Sequence, residues 1–355
     1  MDQIDMGFVE ECEPWKLESR FFPNKVGGKP AWLDLKDLPS AKYVECKSCK
    51  NPCIFLCQIY APYENNENAF HRTIFIFICK NDDCCKPNEN GNLQVLRSQL
   101  SRDNKFYPFE PPNEQENWRP DINSTKFTKV CQVCGLLGPN HCGKCKLVNY
   151  CCRQHQIIDW KAGHDKKCST DNINNDSSTT ATKNTLQSIL FPEYELIIES
   201  DVSNTKNDKS DVNKEEEEMK KYEKLLENGE AGTLQTCDNV NDDLLKMAAG
   251  DEDKVFIKFQ NTIRDDPDQV LRYNRGGVPL YITSKNEPNN IPNCEKCNGE
   301  RQFEFQIMPQ LLNYLNLPAN VKSLDWGTLL VFTCKNSCNI ESGYCSEYIW
   351  KQDIL

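Results

Sequence analysis

Four pairs of metal-ligating residues fall within residues 131–168: Cys131-x2-Cys134, Cys142-x2-Cys145, Cys151-x3-His155 and His164-x3-Cys168. Two thiolates separated by two residues can reach one ion across a tight loop. Two ligands four positions apart on a helix stand one turn apart on the same face. Taken alternately, the first and third pairs make one tetrahedral zinc set, and the second and fourth make another. Each set is closed by four protein ligands and leaves no position for a catalytic water, so the expected zinc is structural. Such a block has too few residues for a core of its own, so metal binding supplies its folding energy. Cys152 adjoins Cys151 and could take over that ligand position.

Further pairs flank this block. Cys46, Cys49, Cys79 and Cys84 make a third candidate zinc set, with Cys85 competing for the place of Cys84 and with Cys53 and Cys57 close by. Cys294, Cys297, Cys334 and Cys338 make a fourth. In each, a CxxC knuckle is joined to the end of an apolar run, which pins a turn to a strand. The chain has 21 cysteines. In a reducing compartment such spaced pairs point to zinc rather than to disulfides, and the isolated Cys12, Cys237 and Cys345 read as small buried hydrophobes.

The elements that would position these ligands are strands. "CIFLCQIYA" (53–61) and "RTIFIFIC" (72–79) are β-branched and aromatic, and "TIFIFI" is apolar on both faces, as expected of an internal strand covered on both sides. "RQFEFQIMPQLL" and "GTLLVFTC" read as strands near the other end. "DEDKVFIKFQNTIRDDPDQVLRYNRGGVPLYI" reads as a helix, a proline-initiated turn, and a Gly-Gly turn leading into a strand. A repeat emerges: Gly-Gly-x-Pro, CxxC, a strand, a second strand ending in cysteine, then one more cysteine. The expected fold is therefore a β-rich α+β protein. Two similar zinc-pinned β units (1–125 and 251–355) would form one pseudo-symmetric body, with separate β domains as the alternative. The zinc block 131–168 is inserted between them, followed by an acidic linker at 169–250.

Charge agrees with that division. Residues 171–230 hold 15 Asp and Glu against 7 Lys and Arg, within a formal charge of −11 for the whole chain. Low hydrophobicity and high charge make this linker expected to be mostly disordered. "NKEEEEMKKYEKLLE" has the spacing of a solvated helix. "ILFPEYELIIE" (189–199) interrupts the linker as either a pairing strand or a docking motif. An acidic chain gains little from phosphates, so nucleic acid is an unfavoured partner and a basic protein a natural one. Lys144, Lys146, Arg153, Lys161, Lys166 and Lys167 are read as balancing the thiolates. The acidic opening lacks the pattern of a signal peptide, and no apolar run is long enough to span a bilayer. The expectation is a soluble monomer of the cytoplasm and nucleus. His71, the one histidine outside the zinc block, reads as a packed or hydrogen-bonded residue. No nucleophile, phosphate loop or cofactor signature accompanies it, and no enzymatic activity is expected.

"YCCRQHQIIDWKAGHDKKC" resembles the C-terminal half of a MYND zinc finger. The resemblance implies a groove for short proline-containing peptides lined by Gln156 and Trp160, which lie at i and i+4 on one helical face. "FPNKVGGKPAWL", "FHRTIFIFICKNDDCCK", "RYNRGGVPLYI", "CEKCNGERQFEFQIMPQLL" and "DWGTLLVFTCKNSC" together resemble the programmed cell death protein 2 family, in its MYND-containing branch. That likeness implies a non-enzymatic chaperone or escort of a basic small-subunit ribosomal protein of the eukaryotic S-two type. It implies a place in small ribosomal subunit biogenesis, shuttling between cytoplasm and nucleus, and an effect on cell survival. The alternative is a MYND-centred adaptor that recruits nuclear corepressors or regulators of death and proliferation.

Overall fold

The computed structural model describes residues 4–168, 189–200, 254–317, 324–341 and 343–354. Its strands are β1 (Asp5–Glu10), β2 (Lys25–Val26), β3 (Ile54–Tyr60), β4 (His71–Ile78), β5 (Leu93–Leu100), β6 (Asn140–His141), β7 (Asn149–Tyr150), β8 (Tyr194–Ser200), β9 (Leu271–Tyr273), β10 (Arg301–Ile307), β11 (Thr328–Cys334) and β12 (Cys345–Gln352). Helix α1 spans Arg153–Asp159, α2 Asp165–Lys167 and α3 Lys254–Ile263. Among the described residues, no helix is long and apolar enough to cross a membrane.

Ten strands close into one antiparallel barrel in the order β1-β8-β2-β3-β4-β5-β12-β11-β10-β9. Closure pairs every strand edge and removes the open edges that would otherwise invite association. The strands from the two ends of the chain therefore share one sheet. They meet at two seams, β5 with β12 (Arg97 opposite Cys345) and β1 with β9 (Asp5 opposite Tyr273). Every residue of β4 is buried, in keeping with its two apolar faces. Ile74, Ile76 and Ile78 face a cluster that also takes Val95, Leu196, Phe305, Val331 and Ile349, and so fills the barrel. Phe75 and Phe77 face the other way, onto Trp32, Leu35 and Phe55.

Of the two readings of Ile189–Glu199, the structure takes the strand. β8 inserts between β1 and β2, with Met6 opposite Glu199 and Lys25 opposite Glu195. Leu196 points inward with Phe191 beside it, which is enough apolar surface to hold a short strand in the barrel. The 169–250 linker is thus interrupted by a structural element. Its remaining acidic stretches, "NKEEEEMKKYEKLLE" and Cys237 lie outside the described residues.

The second Gly-Gly turn differs from expectation in one respect, and the first shares its form. The strand precedes the turn in both places, as β2 before Gly27 and β9 before Gly276, and the segment after it joins no ladder. The reason is a side-chain clasp. Gln58 accepts from the Ala31 amide at 2.9 Å and donates to the Ala31 carbonyl at 3.2 Å. Gln306 does the same for Leu280 at 2.7 and 3.1 Å. The clasped backbone is satisfied without a partner strand. Both clasping strands carry a bulge, between Phe55 and Cys57 in β3 and between Phe303 and Phe305 in β10.

The second bulge aims Glu304 at Arg72 of β4. The guanidinium nitrogens lie 2.5 and 2.7 Å from the two carboxylate oxygens, and both side chains are fully buried. Tyr273 donates to the same carboxylate at 2.9 Å, and Thr333 donates as well. At the β5–β12 seam, Glu347 accepts from Arg97 at 2.6 Å and from Arg301 at 2.8 Å. Both networks join the N-terminal strands to the C-terminal ones.

Candidate metal centres

The four CxxC loops share one backbone shape. The residue immediately after the second cysteine returns its N–H to the first cysteine's carbonyl: Lys50 to Cys46 at 3.0 Å, Gly135 to Cys131 at 3.0 Å, Lys146 to Cys142 at 3.0 Å, and Asn298 to Cys294 at 2.8 Å. Gly135 is the next residue after Cys134, so all four closures span four residues. All four closing residues have positive φ, from 55° at Asn298 to 80° at Gly135. A lysine held there carries a steric cost of about 1–2 kcal/mol, which the knuckle must offset by what it binds.

The ligand atoms gather in four groups, each with all members within 4.8 Å of one another. The groups are Cys46, Cys49, Cys79 and Cys84; Cys131, Cys134, Cys151 and His155; Cys142, Cys145, His164 and Cys168; and Cys294, Cys297, Cys334 and Cys338. The interleaved pairing expected for 131–168 is what the structure has. Cys84 and Cys151 join the groups, whereas Cys85 and Cys152 do not. The Cys85 thiol instead donates to the Asp325 carbonyl at 3.4 Å and accepts from Lys351 at 3.4 Å. Cys53 and Cys57 are buried and join no group; burial pushes both thiols up, and Cys46, Cys49 and Cys84 nearby add to the effect at Cys53.

Most of the separations fit zinc; Cys151 Sγ, 3.0 Å from His155 Nδ1, is closer than a tetrahedral edge. Sulfur pairs Cys49–Cys79, Cys134–Cys151, Cys142–Cys168, Cys294–Cys338 and Cys297–Cys334 all lie 3.6 Å apart. Cys131 Sγ is 3.6 Å from His155 Nδ1, and Cys145 Sγ is 3.6 Å from His164 Nε2. A tetrahedron with Zn–S near 2.3 Å and Zn–N near 2.0–2.1 Å has edges of roughly 3.6–3.8 Å. A disulfide would bring the sulfurs to about 2.05 Å. Burial would raise the Cys142 thiol, but the backbone amides of Cys145 and Lys144 and the His164 ring outweigh it and bring it to about 6, favouring the thiolate a metal requires.

The block 131–168 is seated on the barrel. Cys131, Val133, Cys134, Leu136 and Cys151 belong to the same cluster as Trp32, Phe55 and Phe77. The Trp32 indole donates to the Gly135 carbonyl at 2.6 Å, and Lys29 donates to the Gln132 carbonyl at 2.6 Å. The other metal group lies outboard in a small cluster with Tyr150 and Val148. Tyr150 donates to the buried Asp159 carboxylate at 2.7 Å and so holds α1. Gln156 and Trp160 lie one turn apart there, the Trp160 amide donating to the Gln156 carbonyl. Trp160 is 40 % exposed and meets His164 only edge-on.

His71 begins β4, buried, with its Nδ1 2.9 Å from the Tyr60 hydroxyl and its ring stacked 4.5 Å from Phe22. Burial, with Arg102 adding to it, lowers its pKa to about 4, so the ring is neutral near pH 7. The sequence reading missed the aromatic surroundings of this histidine, since Phe22, Tyr60 and Tyr107 come from three separate segments.

Comparison with known proteins follows the same division. Residues 3–114 match the N-terminal domain of programmed cell death protein 2, residues 253–353 its C-terminal putative domain, and residues 131–168 the MYND finger. Programmed cell death protein 2 of Mus musculus is 38 % identical over 357 residues, covering 99 % of this chain and 96 % of the relative. That of Bos taurus is 39 % identical over 360 residues, with the same shares. A protein of Schizosaccharomyces pombe named "Probable 20S rRNA accumulation protein 4" is 22 % identical over 359 residues, covering 88 % of this chain and 87 % of its own. No solved structure matches. With both terminal domains and the finger matched in order along the chain, the protein belongs to the programmed cell death protein 2 family.

Proposed function

We propose that this protein is a non-enzymatic, zinc-stabilised carrier of a basic small-subunit ribosomal protein, the eukaryotic S-two type, acting in small ribosomal subunit biogenesis in cytoplasm and nucleus. The observation that carries it is the match over most of the chain to a relative named for 20S rRNA accumulation. The formal charge of −11 supports it, because a basic client meets a complementary field. Four zinc ions, one per Cys/His group, would hold the knuckles and the finger in shape. They would supply Lewis-acid cross-links to the fold and no open coordination position. The matched glutamine clasps and bulges of β3 and β10 favour reading the barrel as two similar units related by pseudo-symmetry, and a monomer suffices to close it. Affinity purification of the tagged protein at two salt concentrations tests the role. One ribosomal protein in near-equal amount, lost at high salt and unaccompanied by the rest of the subunit, is expected. Recovery of whole subunits, or of no basic protein, counts against it.

The exposed Trp160 beside Gln156 favours a second reading, an adaptor that takes proline-containing peptides on the finger. Trp160→Ala should then release partners while keeping full zinc content. If every partner is retained, that reading is removed.

A further inference from the structure

The two all-cysteine groups pose a charge problem that the finger's groups pose less. Zinc on four thiolates carries about two excess negative charges, and on three thiolates and an imidazole about one. Of the group Cys294, Cys297, Cys334 and Cys338, Cys334 is buried at the end of β11. Negative charge placed against a low-dielectric barrel wall needs donors or a cation facing it. Within the knuckle, the Gly299 amide donates to Cys297 Sγ at 3.4 Å. The donor to Cys338 comes from the other end of the chain.

That donor is Arg97 of β5, fully buried and 241 positions from Cys338. One terminal nitrogen donates to Gln99 and, at 3.1 Å, to the Cys338 carbonyl. Among the described residues, the other terminal nitrogen has one partner, Cys338 Sγ at 3.6 Å. Nε donates to Glu347 at 2.6 Å and so fixes the plane of the guanidinium. Gln99 adds its own amide to the Ser337 and Cys338 carbonyls, both at 3.1 Å. The second Glu347 oxygen accepts from the Cys334 amide at 3.1 Å and from Arg301 at 2.8 Å. Arg301 in turn donates to the Pro292 and Asn293 carbonyls just before Cys294, both at 2.8 Å. Cys294, Cys334 and Cys338 are thus all held from the β5–β12 seam. Lys351 of β12 stands in the converse place. It donates to Cys85 Sγ at 3.4 Å and to the Lys86 carbonyl at 3.2 Å, beside the ligand Cys84. Antiparallel pairing of β5 with β12 therefore carries a cation from each half of the chain to the cysteines of the other.

We infer that Arg97 is a positioning residue for the metal of the C-terminal knuckle, so that loading of that site and closure of the β5–β12 seam are linked. Zinc keeps Cys338 as the thiolate that Arg97 faces. Arg97, delivered only when β5 pairs with β12, offsets part of the excess charge and holds Cys338 in its ligand place. By reciprocity each event strengthens the other by the same factor. The inference rests on the zinc reading of this group given above, and adds to it the dependence of a C-terminal site on an N-terminal strand.

The test challenges the intact, zinc-loaded protein with excess chelator well below its melting temperature. Alkylation of Cys294, Cys297, Cys334 and Cys338 is followed by mass spectrometry. Arg97→Met should speed their alkylation about 10–100-fold, the usual consequence of removing a residue that holds a ligand. The finger cysteines should keep their wild-type rates. Arg97→Lys keeps the charge without the planar fork and should fall between wild type and Arg97→Met. Ile59→Ala empties a place in the barrel interior, away from the metal groups, and so controls for lost stability alone. In it the four cysteines should alkylate at the wild-type rate. Equal acceleration by Arg97→Met and Ile59→Ala, or none by Arg97→Met, would overturn the inference. Should Arg97→Met fail to fold, Cys297→Ser reads the same linkage from the other side. Cys297 is exposed on the knuckle, and its loss should speed amide exchange in β5 about tenfold while β3 keeps its protection. Unchanged exchange in β5 would overturn the inference as well. Wild-type cysteines that alkylate at once without chelator would remove the zinc reading of this group, and the inference with it.

Discussion

Replacing Glu304 by glutamine keeps the size of the side chain and removes the anion that faces Arg72. The guanidinium would remain fully buried with its charge uncompensated. Burial alone would raise the Glu304 carboxyl, but the Arg72 charge outweighs it and holds the group at about 2, against an ordinary 4.5. That difference corresponds to roughly 3 kcal/mol. Breaking a buried ion pair costs about 3–5 kcal/mol by mutational comparison, so the two routes agree. For a body of this size the melting temperature should fall by roughly 6–20 °C. The assay is thermal unfolding with zinc in excess, so that metal loss does not enter. Arg72→Met/Glu304→Leu should recover much of the loss, because neither charge then needs to be desolvated. A fall below about 3 °C for Glu304→Gln, or a double variant that melts as low as the two single variants combined, would refute the account of this pair as a stabilising buried bond between the halves.

The same carboxyl makes a statement about pH. Its pKa is depressed in the folded state, so its stabilisation is complete above about 4.5 and is lost as pH falls towards about 2; the stability gap between wild type and Glu304→Gln should therefore narrow progressively below pH 4.5 in denaturant titrations. The two finger sites should separate on substitution. Cys134→Ser breaks a group packed against Trp32 and Phe55 and should speed amide exchange in β3 and β4, whereas Cys168→Ser should loosen the outboard cluster and leave those strands protected. Trp32→Phe removes the donor to the Gly135 carbonyl and leaves that acceptor buried, at a cost of about 1–3 kcal/mol in urea unfolding, with the finger's amides exchanging faster than the barrel's.

The ligand sets could be read from spacing because a knuckle is local: two thiols and a tight turn lie within six residues. The strands β3, β4, β10 and β11 could be read for a related reason, since their apolar content exceeds what a surface can hold. β5 and β12 carry Arg97 and Glu347, which look like solvent-facing charges in sequence. They are buried only because each finds the other from 250 positions away, and no local pattern records that. β8 was ambiguous because one inward leucine and a flanking phenylalanine are a weak signal amid a run of acidic residues. The choice between Cys84 and Cys85 likewise depended on which thiol the turn at Asp82–Cys84 aims inward.

Closure also sets an order in time. The free edge of β5 finds its partner when Cys345 comes opposite Arg97, 248 residues further along the chain. At about 5–20 residues per second of synthesis, that edge waits roughly 12–50 s for the strand that covers it. β1 waits in the same way for β8 and then β9. Topology of this kind has a high contact order, folds slowly, and leaves apolar strands open to wrong partners in the interval. A protein proposed to guard another chain after synthesis thus emerges from its own synthesis with the edges of β1, β2 and β5 unguarded.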